Sequence, residues 1–488
     1  MKRLRGTAEA RPSSNAPPHV LLILFDDLGL GDLGVYRKDL LLPPAIRTPH
    51  LDALAARGTS SSAFYAGASV CTPSRATLLT GRLAPRTGLG AGVLFPPGTP
   101  IDAAYRLFGL ARGLLADEVT IADALRASNM RTAMVGKSHV GGMSPHLPTD
   151  LGFESYYGAL HSNDMHPFNV WRATSAQAAS WALASPQPLQ EQLTEAYTNE
   201  SIAQLELAAG AERLSGRRTF LYVAYHAPHD PLHAQPSAGR SVAGLYGDVV
   251  EELDTSTGRL LGALERLRMR KDTLVVLTSD NGPWFEGATA GLRGRKATAF
   301  DGGFRVPFIV SWPNGGIGRQ RWLRTPTHAT DIFRTLLSAC GVSTPTDRVL
   351  DGVDLLPLWR RPPAKPCGAR SARPECSRLI YLHNSVWLVG VRQGAYKLHL
   401  PHLILPDELV ITRSLGQHAD GRSHMWLTDL STDPQEAYDA SRAAPLQLQR
   451  LADAAGALDA AFSRNPRGAV LAEGLQREEA SSGLRSEL

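Results

Sequence analysis

Short apolar runs alternate along this chain with stretches of helical periodicity, and this order is the strongest constraint on its fold. The clearest runs are His19–Phe25, Arg131–Val135, Thr219–Tyr225 and Thr273–Leu277. Short apolar runs bounded by polar residues are typical of strands buried on both faces of a parallel sheet. Strands that alternate with helices indicate βαβ units. We therefore predict an α/β fold with a large, mainly parallel mixed sheet flanked by helices.

Amphipathic spacing and turn residues predict the other elements. Predicted helices cover residues 48–58, 74–80, 119–128, 191–209, 246–268 and 330–339, and a further strand covers 306–310. Beyond about residue 364, closely spaced strand candidates at 378–382, 386–392, 395–400 and 425–429 precede a helix at 445–463. This spacing predicts a smaller C-terminal α+β domain with an antiparallel sheet. The predicted organisation is a leader 1–18, a large domain 19–363, a smaller domain 364–470 and a polar tail 471–488.

Composition excludes several classes of protein. Hydrophobic residues make up 43% of the 488 residues and the net charge is only +5, so the chain can bury a large core and is not disordered. Four cysteines without a Cys-x-x-Cys pair exclude a disulfide scaffold and argue against a zinc ribbon. The chain lacks the run of about 18 apolar residues that a transmembrane segment needs. The mild positive charge favours an anionic ligand over a nucleic acid, and we predict no nucleic-acid partner.

Each of the four apolar runs ends in a polar cluster. The clusters are Asp26-Asp27, Lys137 with His139, His226 with His229, and Asp280-Asn281. The carboxyl ends of parallel strands meet at one edge of a sheet, where ligands bind. A single cluster would more simply cap its strand, but four together predict a common site. Their carboxylate and amide oxygens suit a hard cation such as Ca²⁺ or Mg²⁺; those oxygens belong to Asp26, Asp27, Asp280 and Asn281.

The segment CTPSRATLLTGR, from Cys71 to Arg82, places a thiol, a proline, a serine and an arginine at a predicted helix start. The free N–H groups of a helix start and the guanidinium fork of Arg75 both favour an anion. The alternative is a buried structural cysteine before a helix, which is the usual role of a lone cysteine.

Cys71-Thr72-Pro73-Ser74-Arg75, followed by Thr80-Gly81-Arg82, resembles the signature of type I sulfatases, in which the cysteine is oxidised to formylglycine (3-oxoalanine). FDDLGLGDLG, TPHLDALAARG, GKSHVGG, APHDPL, LTSDNGP and GLRGRKATAFDGGFRVP resemble family segments in the same order. GVRQGAYKLH and LTDLSTDPQEAYD are similar to the arylsulfatase A and N-acetylgalactosamine-6-sulfatase branch. The resemblance implies a sulfuric ester hydrolase with an alkaline-phosphatase-like fold, in which residues 19–363 form the catalytic domain.

The resemblance also implies a role for each motif residue. The implied ligands of a divalent cation, usually Ca²⁺ with Mg²⁺ as the alternative, are Asp26, Asp27, Asp280, Asn281 and an oxygen of the modified Cys71. Arg75 would stabilise the formylglycine hydrate, and Lys137 and His139 would bind that hydrate and the sulfate. His229 and Lys296 would contact the sulfate and the leaving oxygen. Ser162 is a further candidate sulfate contact.

The implied partners are a sulfated small molecule, glycolipid or glycan as substrate and, during maturation, the formylglycine-generating enzyme; a homo-oligomer stays open. The family predicts a secretory, lysosomal or extracellular location. The N-terminal MKRLRGTAEARPSSNAPPH, however, lacks the ~7–15-residue apolar region of a signal peptide. The protein is therefore either not secreted or has a different natural start. In an oxidising compartment, Cys367 and Cys376 could form a disulfide.

Two positions depart from the family pattern: Ser138 stands where the family has Trp, and Asp301 where it has Glu. Ser138 alters the pocket wall, so the natural substrate is not implied; the segments 83–117 and 159–171 are expected to select it. One alternative is a phosphomonoester or phosphonate hydrolase of the same superfamily. The other is a non-catalytic carbohydrate-binding relative. The complete signature favours the sulfatase.

Overall fold

A computed structural model describes residues 16–39, 46–174, 180–235, 240–361, 365–368, 371, 373–384, 386–400 and 425–467. The predicted tail 471–488 and the predicted leader up to residue 15 lie outside the described residues. None of the helices in the described ranges has both the length and the apolar character needed to cross a membrane.

The described residues contain a large sheet of eleven strands. They are β1 His19–Phe25, β2 Thr59–Tyr65, β3 Arg131–Gly136, β4 Ser155–Gly158, β5 Asn169–Thr174, β6 Ser180–Pro186, β7 Thr219–Ala224, β8 Thr273–Ser279, β9 Arg305–Ser311, β10 Arg321–Leu323 and β11 Thr327–His328. Their order is β10-β2-β9-β8-β1-β7-β3-β4-β5-β6, with β11 also paired to β2. The central strands β8, β1, β7, β3 and β4 are parallel, whereas β9, β5 and β6 pair antiparallel with their neighbours. The predicted mainly parallel mixed sheet is confirmed.

Helices pack on both faces of this sheet. They are α1 Gly34–Asp39, α2 Pro49–Ala56, α3 Cys71–Thr80, α4 Pro100–Leu107, α5 Ile121–Ala127, α6 Leu193–Ser215, α7 Gly244–Arg266, α8 Asp301–Phe304, α9 Thr330–Ala339 and α10 Leu356–Arg360, and α11 Pro445–Arg464 follows in the C-terminal region. Residues of α3, α5 and α9 join one core, and residues of α2, α6 and α7 join the other.

Strand β1 shows why the central strands are apolar throughout. Val20, Leu22 and Leu24 lie in one core, while the residues between them lie in the other. Successive side chains of a strand point to opposite faces, so a strand covered on both faces must be apolar at every position. This double burial makes β1 predictable as one continuous run.

Strand β2 was not predicted, although it is buried along its whole length. Its sequence TSSSAFY places Ser60, Ser61 and Ser62 in a row. Serine has a low strand propensity, but its small side chain fits under the covering helices, and tertiary packing here outweighs local preference. The strands β4, β5 and β6 at one end of the sheet, and the short strands β10 and β11 at the other, were also missed.

A second sheet follows in the C-terminal region. It is antiparallel, with the order β12 Leu379–Asn384, β13 Trp387–Gln393, β14 Tyr396–His399 and β15 Trp426–Asp429. Helix α11 packs on it through Leu451, Ala455 and Leu458. The predicted antiparallel sheet and final helix are confirmed; the domain boundary at residue 363 stays a prediction. Cys367 and Cys376 form a disulfide just before this sheet.

Buried charges join the two sheets. Lys397 on β14 lies 3.0 Å from Asp301 Oδ1 and 2.8 Å from Glu436 Oε2. Asp301 also lies 3.2 Å from Arg305 and accepts a hydrogen bond from the Tyr65 hydroxyl at 2.8 Å. We call this group the interface cluster: Asp301, Arg305, Arg392, Lys397, His399 and Glu436.

Candidate active site

Helix α3 begins at Cys71, which sets this thiol at a helix start. Pro73 lies in the first turn, where a missing N–H costs no helical hydrogen bond, and Gly81 ends the helix with a φ of 69°. Every residue of α3 is buried. The Cys71 Sγ lies 3.4 Å from Asp26 Oδ1, so the thiol contacts the carboxylates that follow β1.

Three carboxylates and three cations surround Cys71. We call them the active-site cluster: Asp26, Asp27, Asp280, Arg75, Lys137 and Lys296. The Arg75 Nη2 lies 3.2 Å from Asp26 Oδ2 and 2.8 Å from Asp280 Oδ2. Lys137 Nζ pairs with Asp26, and Lys296 Nζ lies 2.8 Å from Asp27 Oδ2. The predicted convergence of strand ends therefore occurs, because residues after β1, β3 and β8 meet here.

The two carboxylates that share Arg75 titrate differently. Burial alone would raise the pKa of Asp26, but the charges of Lys137 and Arg75 hold it well below its usual value. Burial raises the pKa of Asp280 to about 7, and repulsion by Asp26 adds to that rise against the opposing charge of Arg75. The cations of this chain therefore do not neutralise these two carboxylates equally well.

Both the side chain and the backbone of Lys137 make contacts in this site. Its ammonium group pairs with Asp26 and donates a hydrogen bond to Ser162 Oγ at 2.9 Å. Its backbone carbonyl accepts a hydrogen bond from Arg75 Nη1 at 2.8 Å. Lys137 and Ser162 are both buried, so this contact fixes two predicted sulfate-binding groups side by side.

Two histidines, His139 and His229, border the cluster. Burial lowers the pKa of His139 well below its usual value, so its imidazole is neutral. Its Nε2 lies 2.9 Å from the Leu94 carbonyl and must carry the hydrogen, which leaves the buried Nδ1 as an acceptor without a partner among the described residues. His229 Nδ1 donates to the Asp230 carbonyl, and its Nε2 lies 3.8 Å from Asp27 Oδ2.

The side chains at the centre of the site fit a hard divalent cation. Ligand atoms of Asp26, Asp27, Cys71 and His229 lie within 4.8 Å of one another. The Asn281 Oδ1 is buried and has no hydrogen-bond partner in the described part of the chain. An orphaned amide oxygen beside crowded carboxylates is the donor set that Ca²⁺ and Mg²⁺ prefer.

The backbone adopts left-handed φ angles at three positions in this site. The angles are 66° at Asp27, 57° at His139 and 68° at Ala297, which follows Lys296. Non-glycine residues rarely adopt this region, and such residues persist where surrounding contacts hold them. At Ala297 one such contact is a hydrogen bond of 2.8 Å from Asn384 Nδ2 of β12 to the Ala297 carbonyl.

The structure brings every residue of the predicted site together, while the role of each stays a prediction. His226 is the exception within the predicted polar clusters, because its Nε2 contacts the His161 carbonyl at 3.2 Å. Sequence reasoning missed Ser74, whose hydroxyl donates to the Asp280 carbonyl and accepts from the Gly67 N–H at 3.1 Å. Its place within CTPSR was the only signal. It also missed His161, which no motif marks.

Comparisons with known proteins give separate evidence on the family of this chain. A family model described as Sulfatase matches residues 18–342. The N-acetylgalactosamine-6-sulfatase of Canis lupus familiaris is 34% identical over 399 residues, which cover 78% of this chain and 72% of that protein. The arylsulfatase A of Bos taurus is 36% identical over 411 residues, which cover 79% and 75%. The solved structure of the PsFucS1 sulfatase from Pseudoalteromonas sp. has a TM-score of 0.76 at 24% identity, over 93% of this chain and 92% of that one.

Proposed function

The chain belongs to the sulfatase family, and from that premise we propose that it hydrolyses sulfate monoesters with residue 71 as the nucleophile, after oxidation of Cys71 to formylglycine. Its matches to N-acetylgalactosamine-6-sulfatase and arylsulfatase A confirm the predicted branch and identify it as a sulfuric ester hydrolase. The observation that carries the finer proposal is the position of Cys71, buried at the start of α3 and in contact with Asp26.

An unmodified Cys71 is poorly suited to be the nucleophile. Burial, and then the charge of Asp26, raise the pKa of its thiol, so little thiolate is present at neutral pH. Formylglycine forms an aldehyde hydrate, which supplies two hydroxyl groups on one carbon: one can attack sulfur and the other lets sulfate leave afterwards. Such a site needs a neighbouring proton acceptor, and the neutral His139 offers its unpartnered Nδ1.

We further propose that a divalent cation, Ca²⁺ or alternatively Mg²⁺, binds in the centre of this site. The proposed ligands are Asp26, Asp27, Asp280, Asn281 and an oxygen of the modified residue 71. Such an ion supplies positive charge to the oxygens of the transferring group. Two features of the chain support this cation site. Asn281 Oδ1 has no hydrogen-bond partner among the described residues, and burial together with the nearby charge of Asp26 raises the pKa of Asp280.

Two ammonium groups are proposed to bind the sulfate. Lys137, beside Ser162, and Lys296, beside Asp27, place fixed positive charge where negative charge develops. Burial alone would lower the pKa of Lys296, but Asp27 raises it, so Lys296 stays charged. His229, through Nε2, and Lys296 are the two proposed candidates for the acid that protonates the departing alcohol.

The test of the modification is mass spectrometry of the peptide that contains Cys71, from protein made in a host that has the modifying enzyme. We expect the mass of an aldehyde in place of the thiol. The peptide with Cys340, the other buried free cysteine, should keep its thiol in the same digest and is the internal control. An intact thiol at Cys71 in fully active protein would contradict the proposal.

The test of the reaction is a pair of matched esters, para-nitrophenyl sulfate and para-nitrophenyl phosphate. We expect a higher kcat/KM for the sulfate, because the matching family model and the relatives at 34–36% identity are sulfatases. Faster hydrolysis of the phosphate would favour the phosphomonoesterase alternative. Absence of turnover with a verified formylglycine would favour the non-catalytic carbohydrate-binding alternative.

We also propose maturation by a formylglycine-generating enzyme and a secretory, lysosomal or extracellular location. The Cys367–Cys376 disulfide supports this location, because disulfides persist in oxidising compartments. The proposal can be tested by fractionating cells and measuring the free thiols of the native protein.

A further inference from the structure

A cavity of about 260 Å³ opens beside the active-site cluster, between the segments 94–112 and 141–146. A second space of about 110 Å³ adjoins it and shares the walls Pro97, Gly142 and His161. None of the described residues that line either space belongs to the predicted site. The two spaces therefore form a separate compartment that the proposed chemistry does not use.

Hydrogen bonds of Leu94 connect the wall of this compartment to the active site. Leu94, in its wall, donates a backbone hydrogen bond to Thr72 Oγ1 at 3.1 Å, one residue from Cys71. The Leu94 carbonyl accepts from His139 Nε2 at 2.9 Å. On the other side, His161 directly precedes Ser162, which contacts Lys137. The cavity wall is therefore continuous with the active site, through Leu94 on one side and through His161 and Ser162 on the other.

Charge is unevenly distributed within the cavity. Arg112 makes a bidentate pair with the buried Asp102, with Nε 2.6 Å from Oδ1 and Nη2 3.0 Å from Oδ2. Arg106 Nη2 lies 3.3 Å from the same carboxylate. Two guanidinium groups, of which Arg112 lines the cavity and Arg106 does not, thus share one carboxylate, which leaves a net positive charge beside the cavity. The Arg112 side chain is 31% exposed, and its Nη1 makes no hydrogen bond to the described part of the chain.

His161 stands between the two spaces as a neutral hydrogen-bonding group. Its ring packs on Gly142, because a Cβ there would lie 2.5 Å from His161 Cε1. Burial lowers the pKa of His161 to about 4, and its ring nitrogens have no hydrogen-bond partner among the described residues. A neutral imidazole offers one donor and one acceptor, which suits a ring hydroxyl or ether oxygen.

We propose that this cavity binds the alcohol portion of the substrate, a single ring that carries a second acidic group, with the ring against His161 and the acidic group at Arg112. The inference rests on the proposed function, since it assigns the substrate class of the same site. The volume is below the ~300–1,000 Å³ typical of small-molecule sites, so it suits one ring rather than a long chain. Phe95, Tyr105 and Leu110 supply apolar walls. A carboxylate and a sulfate both satisfy this chemistry, because both accept paired hydrogen bonds from a guanidinium group.

The experiment compares three aryl sulfates: para-nitrophenyl sulfate, para-carboxyphenyl sulfate and hydroquinone bis-sulfate. Their alcohols differ as leaving groups, so each is compared between the wild type and a variant. Arg112→Gln should lower kcat/KM for one or both dianionic substrates about 10- to 100-fold more than for para-nitrophenyl sulfate, mainly through KM. An excess loss with only one of them identifies whether the acidic group is a carboxylate or a sulfate.

Two further variants control this result. Arg112→Lys keeps the charge without the fork and should lose less than Arg112→Gln. Arg319→Gln, an exposed arginine in the loop before β10, should leave the selectivity unchanged. Thermal midpoints show whether Arg112→Gln remains folded; if it does not, Arg112→Lys provides the comparison. Added salt should weaken the dianionic preference in wild type.

Equal losses with all three substrates, or the same loss in Arg319→Gln, would overturn the inference. If wild type hydrolyses para-nitrophenyl sulfate but Arg112 variants show no selective loss, this inference fails and the proposed function stands. If wild type with a verified formylglycine hydrolyses none of the three, the proposed function fails as well.

Discussion

The active-site cluster and the interface cluster are built from the same kinds of side chain, yet they balance charge differently. In the interface cluster, burial opposes ionisation, but Lys397, Arg305 and Arg392 hold the pKa of Asp301 far below its usual value. Lys397 has the same effect on Glu436. In the active-site cluster, burial and a neighbouring carboxylate raise the pKa of Asp280 to about 7.

This difference separates a structural charge network from one prepared for ligands. The carboxylates of the interface cluster find enough cations within the chain. Beside the active-site cluster, Asn281 Oδ1 and His139 Nδ1 have no hydrogen-bond partner among the described residues. Glu436 Oε2 of the interface cluster also lacks a hydrogen bond, but it pairs with Lys397 at 2.8 Å and with His399 at 2.9 Å. Burial of polar groups without partners costs free energy, and the proposed cation and substrate would supply partners for Asn281 Oδ1 and His139 Nδ1. Variants of the two clusters should therefore affect different properties.

The largest expected effect is on turnover, from Cys71→Ser. Serine supplies one hydroxyl group, so attack on the ester can occur, but no second hydroxyl on that carbon lets sulfate leave. We expect steady turnover to fall by about 10⁴-fold or more, with at most one alcohol released per enzyme and an unchanged thermal midpoint. Steady turnover by a protein with a verified, unmodified serine would refute the two-hydroxyl mechanism.

The next largest effect should be on stability, from Lys397→Met. It leaves Asp301 and Glu436 buried with fewer cations, and breaking a buried ion pair lowers the free energy of unfolding by about 3–5 kcal/mol. Urea and thermal midpoints measure this. Lys38→Met is the matched control, because Lys38 pairs with Asp52 on the surface and is 76% exposed. If Lys397→Met and Lys38→Met had equal midpoints, the structural role assigned to the interface cluster would be contradicted.

Metal removal should act on the active-site cluster alone. Dialysis against a chelator should reduce turnover at least about 100-fold, because a bound cation contributes several kcal/mol to charge stabilisation. Added Ca²⁺ or Mg²⁺ should restore it, in wild type and in Lys397→Met alike. Undiminished turnover after thorough metal removal, or zinc found in the purified protein, would contradict the proposed site.

The smallest effect is a difference in acid sensitivity. The pKa values of Asp301 and Glu436 are lowered in the folded protein, so below about pH 4 the unfolded chain takes up protons that the folded protein does not. Their stabilising contribution is therefore complete above about pH 5 and is lost as the pH falls. The thermal midpoint of wild type should fall more steeply from pH 5 to pH 3 than that of Lys397→Met. Parallel curves would contradict this assignment.

Sequence could predict those parts of the molecule in which local pattern and tertiary role agree. Strand β1 was predictable because burial on both faces requires apolar residues throughout, and the strand-end clusters were predictable because parallel strands share an edge. Strand β2 was missed because its buried serines resemble a loop. Lys397 could not be paired with Asp301 because no periodicity links them. Residues of the segments 83–117 and 159–171, which were expected to select the substrate, line the cavity, but no motif encodes how they pack around His161.

The second sheet supports the segment that follows Lys296. This support constrains the design of chimeric proteins that combine this chain with a relative. Asn384 donates to the Ala297 carbonyl at 2.8 Å, and Lys397 donates to the Ala299 carbonyl at 3.0 Å, so both contacts hold the segment that directly follows Lys296. In a chimera that joined the large sheet of this chain to the C-terminal region of a relative, other residues would have to make these two hydrogen bonds. The position of the lysine in such a chimera would therefore depend on a region that lies outside the large sheet.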